Sequence, residues 1–204
     1  MAKLIRKLLS WAIEWSIKGN EVSQIDGITL IDVRERGGCF KQTIENSLLL
    51  IQKYDPRRYA RVKRYISRIA NVITPSGFTG KYDFSTRTVH LEFREMSKLT
   101  NEERAAIYAS VLVDNATRGV LQRARRRIMN HPENGIRMAR LYVTEHNQFL
   151  EKLVEADLLP FPTFRLFRME FDEKRKFNIS KKSFLKVLFS VFWKAVTDRK
   201  IKPK

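Results

Sequence analysis

Three polar residues interrupt an apolar stretch in the middle of this chain, and their types decide what chemistry it can do. In residues 107–122, IYASVLVDNATRGVLQ, Asp114, Asn115 and Arg118 stand among Ile107, Val111, Leu112, Ala116, Val120 and Leu121. Those apolar positions recur at the three- and four-residue spacing of a buried helix face. Polar side chains carried inward on such a face are costly unless they are paired. Asp114 and Arg118 are four residues apart, the spacing at which side chains of one helix meet. Asp114, with Glu145 and His146 further along, offers metal-ligand atoms, but arginine is permanently cationic and cannot coordinate a metal. Asn115 cannot take a proton from water near neutral pH.

A second set of residues suits an anion. Arg57, Arg61, Arg64 and Arg68 share one face of a helix predicted to begin at Pro56, with Val62, Ile66 and Ile69 opposite and Tyr54, Tyr59 and Tyr65 nearby. Such a stripe can track a phosphate backbone, or it can be a solvated outer face. Arg123, Arg125, Arg126 and Arg127 form another basic group. Over the 204 residues, 40 Lys and Arg oppose 22 Asp and Glu, a net charge of +18. That excess points to an anionic membrane surface, an acidic protein or a nucleic acid, and no small-molecule substrate is inferred. The one cysteine, Cys39, excludes an intramolecular disulfide, and His90, His131 and His146 are too scattered for a finger-type zinc site. No apolar run approaches the roughly 20 residues of a membrane span. The expected location is the cytoplasm, with peripheral membrane association an option.

These groups need elements to hold them. Residues 3–18 are predicted to form a basic amphipathic helix, with Leu4, Ile5, Leu8, Leu9, Ala12 and Ile13 on one side and Trp11 and Trp15 on its flank. It lies on an anionic membrane or packs on the domain. Residues 28–34 read as a strand, Gly37-Gly38 as a turn, and residues 40–54 as a helix through Ile44, Leu48, Leu49 and Ile51. The period-two run TVHLEF predicts a strand with Val89, Leu91 and Phe93 on one side and a half-exposed His90 on the other. Thr100 and Glu103 make a capping box opening the central helix, which Asn130-His131-Pro132 stops near Met129. A further helix is predicted over 136–156, and then LLPFPTFRLFRMEF reads as an extended apolar segment laid over the domain. Residues 183–196 are apolar nearly all round apart from a stripe of Lys182, Lys186, Ser190 and Lys194, which implies deep burial or insertion into an interface.

The helix YASVLVDNATRGVL resembles the V-L-V-H-E-A-T-H-G-x-L helix of small bacterial zincin-like metallopeptidases. TRTVHLEF is similar to the edge strand that lines the substrate cleft in that family, and GIRMARLYVTEHNQFLEKL to the helix bearing its third metal ligand. The resemblance covers roughly residues 28–157. It implies an α+β fold, a small sheet packed on the motif helix and the helix after it; the amphipathic helical extensions at both termini are read from the residue pattern and lie outside the resemblance. The implied divisions are 1–19, a basic helix; 20–160, the zincin-like domain; and 161–204, an extension packed on the domain or on a membrane.

In the family's H-E-x-x-H motif two histidines bind zinc and the glutamate activates a metal-bound water. Here the first ligand position holds Asp114, the general-base position Asn115 and the second ligand position Arg118; the third is Glu145 or Ala139. The resemblance therefore implies a pseudoenzyme without zinc or catalytic residues. In it the Arg118 guanidinium takes roughly the metal's place, bridged by Asp114 and Glu145. Such a protein acts by binding, towards an anionic membrane or an acidic protein, its cleft strand free to take an extended peptide. Nucleic-acid binding and a hydrolase of non-standard chemistry are the alternatives.

Overall fold

The computed structural model describes residues 22–33, 38–74, 77–94, 96, 98–125 and 133–170. The predicted helix over 3–18, the turn residue Gly37, the C-terminal helix over 183–196 and the basic residues Arg126 and Arg127 lie outside them. The described part is a mixed α+β fold of one five-stranded sheet and five α-helices.

The strands are β1 (Val22–Ile25), β2 (Ile28–Asp32), β3 (Arg68–Asn71), β4 (Lys81–Asp83) and β5 (Thr88–Leu91), and they lie in the order β1-β2-β3-β5-β4. The central pairs β2–β3 and β3–β5 are parallel, and both outer pairs are antiparallel hairpins. Asp26 and Gly27, both at positive φ, turn β1 into β2, as a tight hairpin of this kind requires. A strand buried on both faces loses the polar alternation of a half-exposed one, and all four residues of β5 are buried.

This placement corrects two expectations. The strand carrying His90 is interior, between β3 and β4, so its backbone is already paired on both sides and cannot take up a peptide. His90 itself is buried, not half-exposed. The short strand β4 occupies that edge.

The helices are α1 (Gly38–Tyr54), α2 (Pro56–Tyr65), α3 (Asn101–Arg125), α4 (Glu133–Glu155) and α5 (Phe161–Phe167). Phe40, Ile44, Leu48 and Ile51 give α1 its buried face, while Leu49 points outward. The small Ser47 lets α1 approach α3, its hydroxyl shared between the carbonyls of Thr43 at 2.6 Å and Ala105 at 2.9 Å. Pro56 sits at the start of α2, and Asp55 caps it by accepting from the Arg58 amide at 3.0 Å. Because α2 ends at Tyr65, Arg68 belongs to β3, and the four-arginine helical stripe does not form.

The predicted capping box of α3 is present: Glu103 N donates to Thr100 Oγ1 at 3.1 Å, and Thr100 N to Glu103 Oε2 at 2.8 Å. The spacing predicts one buried face for α3, yet every residue from 104 to 117 is buried. The core joins Leu30, Ile69 and Val89 of the sheet to Leu48, Val62, Leu112, Phe149 and Phe164 of the five helices. LLPFPTFRLFRMEF is not extended: Pro160 and Pro162 start α5, which buries Thr163 and Phe164. No helix among the described residues is long and apolar enough to cross a membrane.

Candidate functional site

Midway along α3, where the helix has no solvent face, the chain places a carboxylate. Asp114 is 0% exposed, and Arg118, one turn on, keeps 26% of its side chain accessible. Arg118 Nε donates to Asp114 Oδ1 at 3.1 Å. Its Nη2 stands 2.9 Å from Oδ2, but no N–H is aimed at that oxygen, so the second contact is Coulombic. The guanidinium also lies over the Tyr142 ring of α4, 4.3 Å from its centroid, a cation–π geometry. Burial pushes the Asp114 carboxyl up to about 6, against the opposing pull of Arg118. The cation is too exposed, and too imperfectly aimed, to offset the loss of water.

The neighbours of Asp114 are spent on structure. Asn115 Nδ2 donates to Val111 O at 2.8 Å and to Thr79 O at 3.1 Å, tying α3 to the 3-10 turn Gly77–Thr79. Thr117 Oγ1 donates to Val113 O at 2.9 Å and accepts from Arg61 at 3.0 Å. Gly119 admits Tyr82: a Cβ there would stand 3.0 Å from the tyrosine Cζ and hydroxyl and 3.1 Å from Tyr65 Cβ. Tyr82 uses that approach to donate to Tyr65 O at 2.5 Å. His146 on α4 is enclosed beneath α5, its Nε2 3.1 Å from Phe167 O. Burial lowers His146 to about 4, over the opposing pull of the Phe167 carbonyl, and holds the ring neutral.

Glu145 does not join Arg118. Its Oε2 accepts from Arg58 Nε at 2.8 Å and Arg61 Nη1 at 3.1 Å, both from α2. Arg58 continues to Asp55 Oδ2 at 2.6 Å and to Gln148 Oε1 at 2.9 Å, and Lys152 Nζ reaches the same Asp55 oxygen at 2.5 Å. Burial alone would raise Asp55, but the bonds from Lys152 and Arg58 outweigh it and hold its carboxyl at about 2. The expected three-residue cluster is thus two separate arrangements. The reason lies in helical phase: Tyr142 of α4 meets Arg118 of α3, while Glu145, three positions on, meets Arg58 and Arg61 of α2.

Of the residues expected to meet an anion, Arg57, Arg64 and Arg123 are exposed, while Arg61 is engaged by Glu145. Arg58, outside the predicted arginine stripe, is the hub of the network; its position three residues after the capping Asp55 is the local signal for it. Among the described residues no three His, Cys, Asp or Glu gather as metal ligands. The motif residues themselves do not fit zinc, because the Arg118 cation already rests against the one carboxylate on the inward face. No family model, curated protein or solved structure matches this chain.

Proposed function

We propose that this chain is a non-catalytic binding protein on a zincin-like scaffold, in which an internal ion pair stands where the family holds its metal. The observation that carries the reading is the Asp114–Arg118 pair stacked on Tyr142, at the middle of an enclosed helix. Asn115 Nδ2 is bonded to two backbone carbonyls and Asp114 is held by Arg118, so the motif positions carry neither the family's two histidines nor its glutamate base. Metal-dependent hydrolysis needs an open coordination position and a group to activate water.

The binding surface in this proposal is α2. Among the described residues its network sets Arg58, Arg61 and Lys152 against Asp55 and Glu145, leaving a net positive charge beside the exposed Arg57, Lys63 and Arg64. The partner is an anionic surface, either an acidic protein or an anionic membrane. Co-sedimentation with vesicles of phosphatidylserine and phosphatidylcholine in low and high salt tests the membrane form. An Arg57→Ala, Arg64→Ala double variant is expected to weaken binding severalfold. An immobilised polyglutamate column tests the acidic-protein form in the same way. Retention on neither support at low salt, or stoichiometric zinc in the purified protein, overturns the proposal.

A further inference from the structure

Arg104, in the first turn of α3, is a buried cation whose donors are almost unused. Its side chain belongs to a residue only 8% exposed. Nη2 donates to Leu99 O at 3.4 Å, the long end of the hydrogen-bond range, and Nε is enclosed with no partner. A buried histidine or lysine can escape such a position by losing its proton, whereas a guanidinium stays charged. Enclosing an ion without a countercharge is among the costliest arrangements a fold can hold.

The acids around this turn are committed elsewhere. Glu103 accepts from Thr100 N at 2.8 Å through Oε2 and from Thr163 Oγ1 at 2.7 Å through Oε1. Glu102 is exposed to solvent. Glu92 stands 3.8 Å from Arg94 Nε. Among the described residues no carboxylate makes an ion pair with Arg104.

A second cation is held close by. Tyr108 follows Arg104 by one helical turn, and its hydroxyl accepts from Arg94 N at 2.8 Å, which fixes Arg94 beside the start of α3. Burial pushes the Tyr108 hydroxyl up to about 12, against the bond from the Arg94 amide and the pull of the Arg94 and Arg104 cations, so both charges lie near it. The Arg94 side chain is 55% exposed and opens this corner to solvent. Behind it stands the positive end of the dipole of a 25-residue helix.

We infer that Arg104 anchors a binding site for a small oxyanion, a phosphate or a carboxylate group, with Arg94 on its open side. The planar guanidinium suits either group, since both present paired oxygens to its N–H donors. The bound anion supplies the countercharge that Arg104 lacks, so its binding raises the stability of the fold. This site lies on α3 and does not rest on the reading of α2 as an anionic-partner surface.

Thermal unfolding of the full chain, followed by circular dichroism in chloride, phosphate and acetate at equal ionic strength, tests the site. A rise in Tm that saturates is expected in phosphate, in acetate or in both, and the comparison shows which group is preferred. Phosphate also stabilises proteins by exclusion from their surface, but that effect grows without saturating. Arg104→Met is expected to abolish the saturable rise. Arg104→Lys keeps the charge without the planar fork and is expected to weaken binding about tenfold. The Arg57→Ala, Arg64→Ala chain is expected to leave the rise unchanged, which separates this result from the fate of the α2 proposal. Should Arg104→Met not fold, Arg104→Lys carries the test, and binding as tight as in the natural chain overturns the inference. It is equally overturned by a natural chain with no saturable rise, or by a rise that survives in Arg104→Met. A rise seen only in Glu95→Gln would make Glu95 the countercharge and also rejects the site.

Discussion

Replacing Arg118 by methionine isolates the ion pair at the centre of the molecule, and the pH at which it is done matters as much as the change itself. Above pH 7 Asp114 is ionised and wholly enclosed, so losing Arg118 leaves a buried carboxylate with no countercharge. Removing one member of a buried pair costs roughly 3–5 kcal/mol. Because Arg118 is 26% exposed, the lower end, about 3 kcal/mol, is expected, including about 0.5–1 kcal/mol from the Tyr142 stack. At pH 5 the situation changes, since the Asp114 carboxyl sits at about 6 and is already protonated in the natural protein. The guanidinium then faces a neutral acid, and the cost of the substitution is expected to shrink to about 1 kcal/mol, the stacking share.

Urea unfolding followed by circular dichroism at pH 8 and pH 5 measures both differences. Equal losses at the two pH values would refute the idea that a buried, proton-sensitive carboxylate carries the effect. An Asp114→Asn partner variant checks the sign. Asp114 ionises at 3.8 when unfolded but at about 6 when folded, so its contribution is fully present below 3.8 and is lost as pH rises through 6. That loss, about two pH units, amounts to about 3 kcal/mol. Asparagine at this position is therefore expected to leave stability at pH 8 unchanged or higher.

Other substitutions separate the remaining contacts. Glu145→Gln, which releases Arg58 and Arg61 while leaving Asp114 untouched, is expected to cost about 1–3 kcal/mol at pH 7 and to be additive with Arg118→Met, as distinct networks require. Gly119→Ala gains up to about 1 kcal/mol of helix propensity but is expected to destabilise by about 1–3 kcal/mol overall, because Tyr82 cannot keep its bond to Tyr65; thermal melting decides the sign. His90 and His146 are both lowered by burial to about 4 from 6.5. The unfolded chain binds those two protons first, so their contribution is complete above pH 6.5 and falls by about 3 kcal/mol each as pH drops to 4. This exceeds the opposite gain from Asp114, and the natural protein is expected to be less stable at pH 4 than at pH 7 in a pH series of urea titrations.

Local signals in the sequence translate well into structure where the determinants are themselves local. The capping box at Thr100 and Glu103, the proline start of α2 and the inward Asp114–Arg118 pairing all follow from neighbours within one helical turn. What depended on tertiary context did not. The alternation in TVHLEF suggests a half-exposed strand because histidine is usually half-exposed, and nothing local shows that β5 lies inside the sheet with all four of its residues buried. Arg68 continues the arginine spacing of α2, but a strand pairing with Thr29 and Thr88 takes it out of the helix. The direction of Glu145 was equally illegible, since a one-residue difference in phase on α4 decides whether it meets α3 or α2.

Charge balance explains why the network settles this way. Among the described residues Arg118 has one carboxylate and one aromatic face, which between them occupy a guanidinium already partly in water. A second carboxylate brought to it would lie near Asp114 in an enclosed site, and like charges in low dielectric repel strongly. On α2, by contrast, Arg58 and Arg61 present two cations to the helix flank, and Glu145 meets both without entering the core. The arrangement keeps a second carboxylate away from Asp114 and leaves the cations Arg58 and Arg61 on α2. A Tyr142→Leu variant tests that division: it removes only the aromatic face, so Arg118 should stay on Asp114 and Glu145 on Arg58. Its cost is expected to be about 0.5–1.5 kcal/mol and additive with Glu145→Gln, whereas a strongly coupled double variant would mean that the two arrangements act as one.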